Sequence, residues 1–152
     1  MEISDDAVVT LLARWPVARL ATVGPGGAPT LVPVVFAPSG GRLWIPIDGK
    51  PKRGGELARV ANVRRDPRVA LLLDHYASDW STLWWLRVDA RAEVTRGAEP
   101  GAEAALREKY PQYATTPLFR GPTPTWLALT EERVRGWSAS GDGLASIGGW
   151  DG

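Results

Sequence analysis

Hydrophobic positions recur along the 152-residue chain with two periods, and the change from one to the other marks out its elements. Val8, Leu11, Leu12 and Trp15 repeat at helical spacing behind Ser4, Asp5 and Asp6, a hydroxyl cap with two carboxylates at the positive end of the dipole, and Pro16 stops the run. Three extended segments are predicted next: Arg19 to Val23, Thr30 to Ala37 and Arg42 to Asp48, parted by the turns Gly24-Pro25-Gly26-Gly27 and Ser39-Gly40-Gly41. In the third, Leu43, Ile45 and Ile47 share one face and Trp44 and Pro46 the other, and a proline there marks a strand edge or exit. A helix with Leu57, Val60 and Ala61 on one face follows and ends at Asp66-Pro67. Val69 to Leu73 is a continuous apolar run of the kind buried on both faces.

The alternation is plainest from Trp84 onward. Trp84, Leu86, Val88, Ala90, Ala92 and Val94 fall on one side of a long strand, and Trp85, Arg87, Asp89, Arg91, Glu93 and Thr95 on the other. Glu99 to Tyr110 reads as a further amphipathic helix and Thr116 to Pro124 as a loop. Trp126 to Ser138 is a last strand whose alternation falters at Glu131-Glu132, the signature of a bulge. The expected fold is mainly β with short helices: six strands in a small antiparallel barrel, one domain over residues 1–140, with a small-residue tail over 141–152.

Composition narrows the chemistry. There is no Cys, one His (His75) and one Met, so thiolate nucleophiles, disulfides, iron–sulfur clusters and a His-rich metal site within one chain are excluded. An enzyme built this way draws its reactive atoms from a bound cofactor. Eight Trp stand against that scarcity. Net charge is +1, which predicts no general attraction to nucleic acid or membrane, yet Lys50 to Arg68 holds seven basic residues against Glu56 and Asp66. No apolar run approaches about 18 residues, and acidic residues occupy the N-terminus where a signal peptide carries positive charge, so a cytoplasmic location is expected.

Four places carry candidate chemistry. Lys50, Lys52 and Arg53 precede a helix start with Gly54-Gly55 between, a setting that suits a phosphate and equally describes a solvated basic loop. Trp85, on the polar face of its strand, has to cover a subunit, a planar ligand or another element of the fold, and Trp137 has the same ambiguity. Trp44 and Trp84 lie on regular faces and belong to the core. His75 beside Asp74 is a candidate acid–base group, although a lone His at a strand end is more often simply packed. Asp89 and Glu93 read as a solvated or ion-paired face rather than a glycosidase pair.

Five segments, ARLATVGPGGAPTLVPVVFA, RLWIPIDGKPKR, NVRRDPRVALLLDHY, DWSTLWWLRVDARAEV and RVRGWSAS, resemble in order the pyridoxamine 5'-phosphate oxidase-like superfamily of split β-barrels, and more narrowly its actinobacterial branch that binds the deazaflavin coenzyme F420. The resemblance spans residues 4 to 140. It implies a homodimer with two cofactor sites at the subunit interface, cofactor contacts from Ile45, Pro46, Ile47, Lys50, Lys52 and Arg53, and ring or acceptor walls from Trp85 and Trp137. Trp85 stands where flavin-binding relatives often have Gln. The second strand, Thr30-Leu31-Val32-Pro33-Val34-Val35, lacks the basic residues with which those relatives grip the FMN phosphate. The resemblance therefore implies an F420-dependent oxidoreductase passing a hydride to a small hydrophobic or quinone-like acceptor. An FMN-dependent reductase or oxidase of the same fold, or a non-catalytic F420 or haem carrier, remains the alternative.

Overall fold

Ser4 caps the first helix as its sequence predicts, its Oγ accepting from the Ala7 amide at 3.2 Å, and α1 (Asp5–Arg14) buries Leu11 and Leu12. In the computed structural model, which describes residues 1–48 and 57–140, α1 is followed by β1 (Ala18–Val23), β2 (Pro29–Val34), β3 (Ala37–Ser39), β4 (Arg42–Pro46), α2 (Ala58–Arg65), β5 (Arg68–His75), β6 (Trp84–Arg96), α3 (Pro100–Lys109) and β7 (Thr125–Ser138). The strands form one sheet in the order β2-β1-β5-β6-β7-β4-β3, and every pairing is antiparallel. Gly40 and Gly41 turn β3 into β4 with φ of 59° and 79°, the positive values that a two-residue hairpin turn of this twist requires. Among the described residues no helix is long and apolar enough to cross a membrane.

The described residues contain seven strands where the sequence predicts six, because the segment from Thr30 to Ala37 is divided. Phe36 is fully buried, its amide donates to the Tyr110 hydroxyl at 3.2 Å, and its carbonyl accepts from Lys109 Nζ at 2.9 Å. Side chains at the end of α3 thus take the backbone groups that would continue the ladder with β1. The chain leaves β1 after Val34 and pairs with β4 from Ala37.

Two further expectations change. The buried face of α2 is Val60, Asn62 and Val63 rather than Leu57, Val60 and Ala61. Asn62 is satisfied inside: its Nδ2 donates to Thr22 Oγ1 at 3.0 Å and its Oδ1 accepts from Arg65 at 2.9 Å. The apolar run in β5 is buried on one face only, with Val69, Leu71 and Leu73 inside while Ala70 and Leu72 are half-buried on the other side.

One core cluster fills the inside of the sheet with Leu20, Leu71, Leu86, Val88, Leu127 and Leu129. A second lies on the opposite face of β4 and β7, where Trp44, Trp126 and Ala128 pack on Ala102, Leu106 and Tyr110. Trp44 and Trp84 are both core residues, 5% and 2% exposed. The part of the sheet made by β4 and the start of β7 is therefore covered twice. Among the described residues, the outer face of β2, β1, β5, β6 and the end of β7 lacks such a layer.

The bulge in β7 determines what that outer face carries. Ala90 pairs with Glu131 and Asp89 with Arg133, so Glu132 is the extra residue. Before it, odd-numbered Leu127 and Leu129 face the inner core; after it, odd-numbered Arg133, Arg135 and Trp137 face outward and Val134 and Ser138 turn in. An unbulged strand would have pointed Trp137 into the barrel.

Candidate functional site

Strand register places the outward side chains in rows across the sheet. One row runs Pro33, Arg19, Leu72, Arg87, Arg135, and the next Asp74, Trp85, Trp137. Trp85 and Trp137 are direct cross-strand partners, 36% and 43% exposed, so the two tryptophans singled out from the sequence stand side by side. They wall a pocket of about 570 Å³ whose floor includes Ala21, Ala70 and Leu72 and whose rim includes Leu31 and Tyr76. By strand spacing, the four steps from Pro33 to Arg135 cover about 19 Å. The pocket is apolar and aromatic in its body, with charge in defined places: Arg19 Nη1 lies 2.8 Å from Asp74 Oδ1, and Arg87 Nε lies 3.0 Å from Asp89 Oδ1.

The loop over one end of this pocket is pinned. Asp79 accepts from the Ser81 amide at 3.0 Å and the Ser81 hydroxyl at 2.7 Å, bonds that hold its carboxyl below its ordinary pKa. Ala139 N donates to Leu83 O at 2.8 Å and Ser140 Oγ to Ser81 O at 3.1 Å, so the end of β7 braces the loop. His75 Nδ1 lies 3.1 Å from the Thr82 carbonyl, which makes Nδ1 the protonated nitrogen, and its ring packs edge-on against Trp15 with centroids 6.1 Å apart. His75 also lines the first pocket. Asp89 and Glu93 are ion-paired surface groups, to Arg87 and, at 3.6 Å, to Arg42.

A second pocket, about 340 Å³, opens where β4 ends, lined by Val17, Pro33, Pro46, Asp48, Arg59 and Tyr113 among others. It adjoins the first, since Pro33 lines one and Leu31, two residues earlier on the same exposed face of β2, lines the other. Arg59 Nε is buried here and has no hydrogen-bond partner among the described residues. Burial pushes the guanidinium below its ordinary pKa, with Asp48 acting in the opposite sense, and burial and then Asp48 push the Tyr113 phenol up. A half-buried cation with an orphaned donor is the setting an anionic ligand satisfies.

Of the residues predicted at the site, Trp85 and Trp137 come together and Pro46 lines the Arg59 pocket. Ile45 is buried in the inner core and Ile47 packs against it, with the Ile47 amide donating to Thr125 O at 2.9 Å. Lys50, Lys52 and Arg53 lie outside the described residues; the described chain stops at Asp48 and resumes at Leu57, two residues before Arg59. Sequence reasoning passed over Arg19, Leu31, Tyr76 and Tyr113. Leu31 carried a signal, since β2 is apolar at its exposed positions as well as at half-buried Val32 and Val34, and an edge strand of that kind needs a cover. Among the described residues no cluster fit for a metal ion occurs.

Residues 4–138 match the family described as pyridoxamine 5'-phosphate oxidase. No curated protein matches the sequence. Solved structures with the same fold include a conserved hypothetical protein of Mycobacterium tuberculosis (23% identity, TM-score 0.68, 90% of this chain and 86% of that one). They also include a haem storage protein of Vibrio cholerae (15%, TM-score 0.66, 86% and 92%) and an F420 reductase (20%, TM-score 0.58, 86% and 95%).

Proposed function

Because the chain belongs to the pyridoxamine 5'-phosphate oxidase family, we propose that it is a cytoplasmic, homodimeric oxidoreductase that holds coenzyme F420 on the outer sheet face and reduces a small hydrophobic or quinone-like acceptor. The observation that carries this reading is the Trp85–Trp137 pair walling an apolar pocket that adjoins the orphaned Arg59 donor. Together they match a ligand with a planar ring at one end and anionic groups at the other.

The residues fit a deazaflavin better than FMN. The exposed positions of β2 are Pro29, Leu31 and Pro33, so this strand has no cation for a phosphate dianion. Losing such charge-assisted bonds costs about 1.5–3 kcal/mol each. Arg59 would meet an anionic group at the mouth of β4, Lys50, Lys52 and Arg53 would neutralise the phosphate, and Arg64 and Arg65 would meet the glutamate tail. Bound there, the reduced coenzyme supplies a hydride from carbon. The chain's own part is to seat the acceptor against Trp85 and Trp137, keep water off the reacting faces and fix the distance. A second copy of the chain covers the exposed apolar face, where Leu31 is 70% exposed beside the two tryptophans, and completes the site.

The test is a turnover assay with reduced F420 and menadione, followed by the return of the oxidised coenzyme's absorbance. Turnover that falls at least tenfold in Trp85→Ala and Trp137→Ala supports the reading. F420 binding without turnover toward any quinone identifies a carrier, and turnover only with FMN identifies the flavin-dependent alternative.

A further inference from the structure

We infer that the acceptor is acidic: a planar aromatic body carrying a carboxylate or sulfonate, held by the arginine row beside the tryptophan pair. The inference rests on the acceptor site proposed above and narrows its substrate class.

Arg87 on β6 and Arg135 on β7 are direct cross-strand partners on the outer face. Like charges placed opposite each other in an antiparallel pair destabilise the sheet unless an anion lies between them. Asp89, itself opposite Arg133 across the strands, accepts from Arg87 Nε at 3.0 Å and Nη2 at 3.4 Å, and among the described residues no hydrogen bond engages Arg87 Nη1. Arg19, in the same row across Leu72, uses Nη1 alone on Asp74. Arg135 has no ion-pair partner among the described residues and is exposed. The row thus carries three guanidinium groups; Arg19 and Arg87 are each paired to one carboxylate of a neighbouring row, Asp74 and Asp89, and Arg135 to none among the described residues.

The position of this row gives the ligand its shape. Arg87 and Arg135 each lie two residues from Trp85 and Trp137 on the same strand and face, a spacing of about 7 Å. A ring stacked on the tryptophans therefore puts a substituent of one or two bonds over the guanidinium groups. Arg is suited to this task because its planar fork meets a carboxylate in two parallel bonds. A neutral quinone would leave these donors to water.

Two unreactive probes of one shape decide the matter: 2-naphthoate and naphthalen-2-ylmethanol, titrated by calorimetry into the full-length protein without coenzyme. The naphthoate is expected to bind at least tenfold tighter, with salt weakening the naphthoate and not the alcohol. The advantage is expected to shrink to within about twofold in Arg87→Gln/Arg135→Gln, with alcohol binding unchanged as the sign of an intact pocket, and to return in part in Arg87→Lys/Arg135→Lys. Equal affinities in the wild type, or an advantage that survives the double Gln variant, would overturn the inference. So would displacement of naphthoate by F420, which would assign the row to the coenzyme. Because the probes bind without coenzyme, a protein that discriminates between them yet fails to bind F420 refutes the cofactor reading and not this one.

Discussion

Lys109 ends α3 with its ammonium inside the fold, donating to Leu12 O at 3.1 Å and Phe36 O at 2.9 Å and lying 3.4 Å from the centre of the Phe36 ring. Burial pushes its pKa from 10.5 down to about 7. A group whose folded pKa is lowered binds fewer protons in the native state than in the unfolded chain between those two values. Stability therefore rises as pH climbs through that window and is lower below pH 7, where the folded protein holds a buried charge. The neutral amine keeps two hydrogens for its two carbonyl partners, so deprotonation removes the desolvation cost without orphaning either acceptor. Between pH 7 and 9 the native state binds on average about 0.8 fewer protons than the unfolded one. At 1.36 kcal/mol per unit over two units, that is a gain of about 2 kcal/mol. Urea unfolding of wild type and Lys109→Met at pH 7 and pH 9 isolates this group from all others: the wild type should gain about 2 kcal/mol on the variant across the interval. A difference between the two proteins that stays constant from pH 7 to 9 would refute the reasoning and show the ammonium to be fully charged in the fold.

Three further outcomes are expected. Tyr110→Phe removes the hydroxyl that donates to Pro16 O at 2.8 Å and accepts from the buried Phe36 amide, and should cost about 1–3 kcal/mol in denaturant unfolding; a loss below 0.5 kcal/mol would show that the crossover satisfies itself another way. Deleting Glu132 leaves Glu131 and Arg133 as consecutive partners of Ala90 and Asp89, so Arg133, Arg135 and Trp137 keep facing outward and the variant should retain the wild-type near-ultraviolet circular dichroism; loss of that signal would refute Glu132 as the extra residue. Arg59→Met removes a buried, unpartnered guanidinium nitrogen, so its melting temperature should hold or rise while F420 affinity measured by fluorescence drops about tenfold or more.

Much of the architecture was legible because burial on one face imposes strict alternation. In β6 the division between Trp84, Leu86, Val88 and their outward neighbours holds residue by residue, and the falter at Glu131-Glu132 marks a real register shift. What could not be read depends on distant partners. Nothing local in Val35-Phe36 announces a strand break, since Lys109 and Tyr110, more than seventy residues away, produce it. Asn62 reads as a polar surface residue until Thr22 meets it. At the site, an aromatic residue on a polar strand face was a sound signal for Trp85 and Trp137. That they are neighbours follows only from the bulge and the β6–β7 register, and the Arg59 pocket only from the way β2, β4 and α2 meet.

The most direct test of the account is a parallel titration of the purified protein with F420, FMN and haem, each followed by its own absorbance or fluorescence. The account predicts saturable F420 binding that weakens in Arg59→Met and in Trp85→Ala, with FMN bound at least tenfold more weakly. Tight FMN or haem binding with no F420 binding would contradict it.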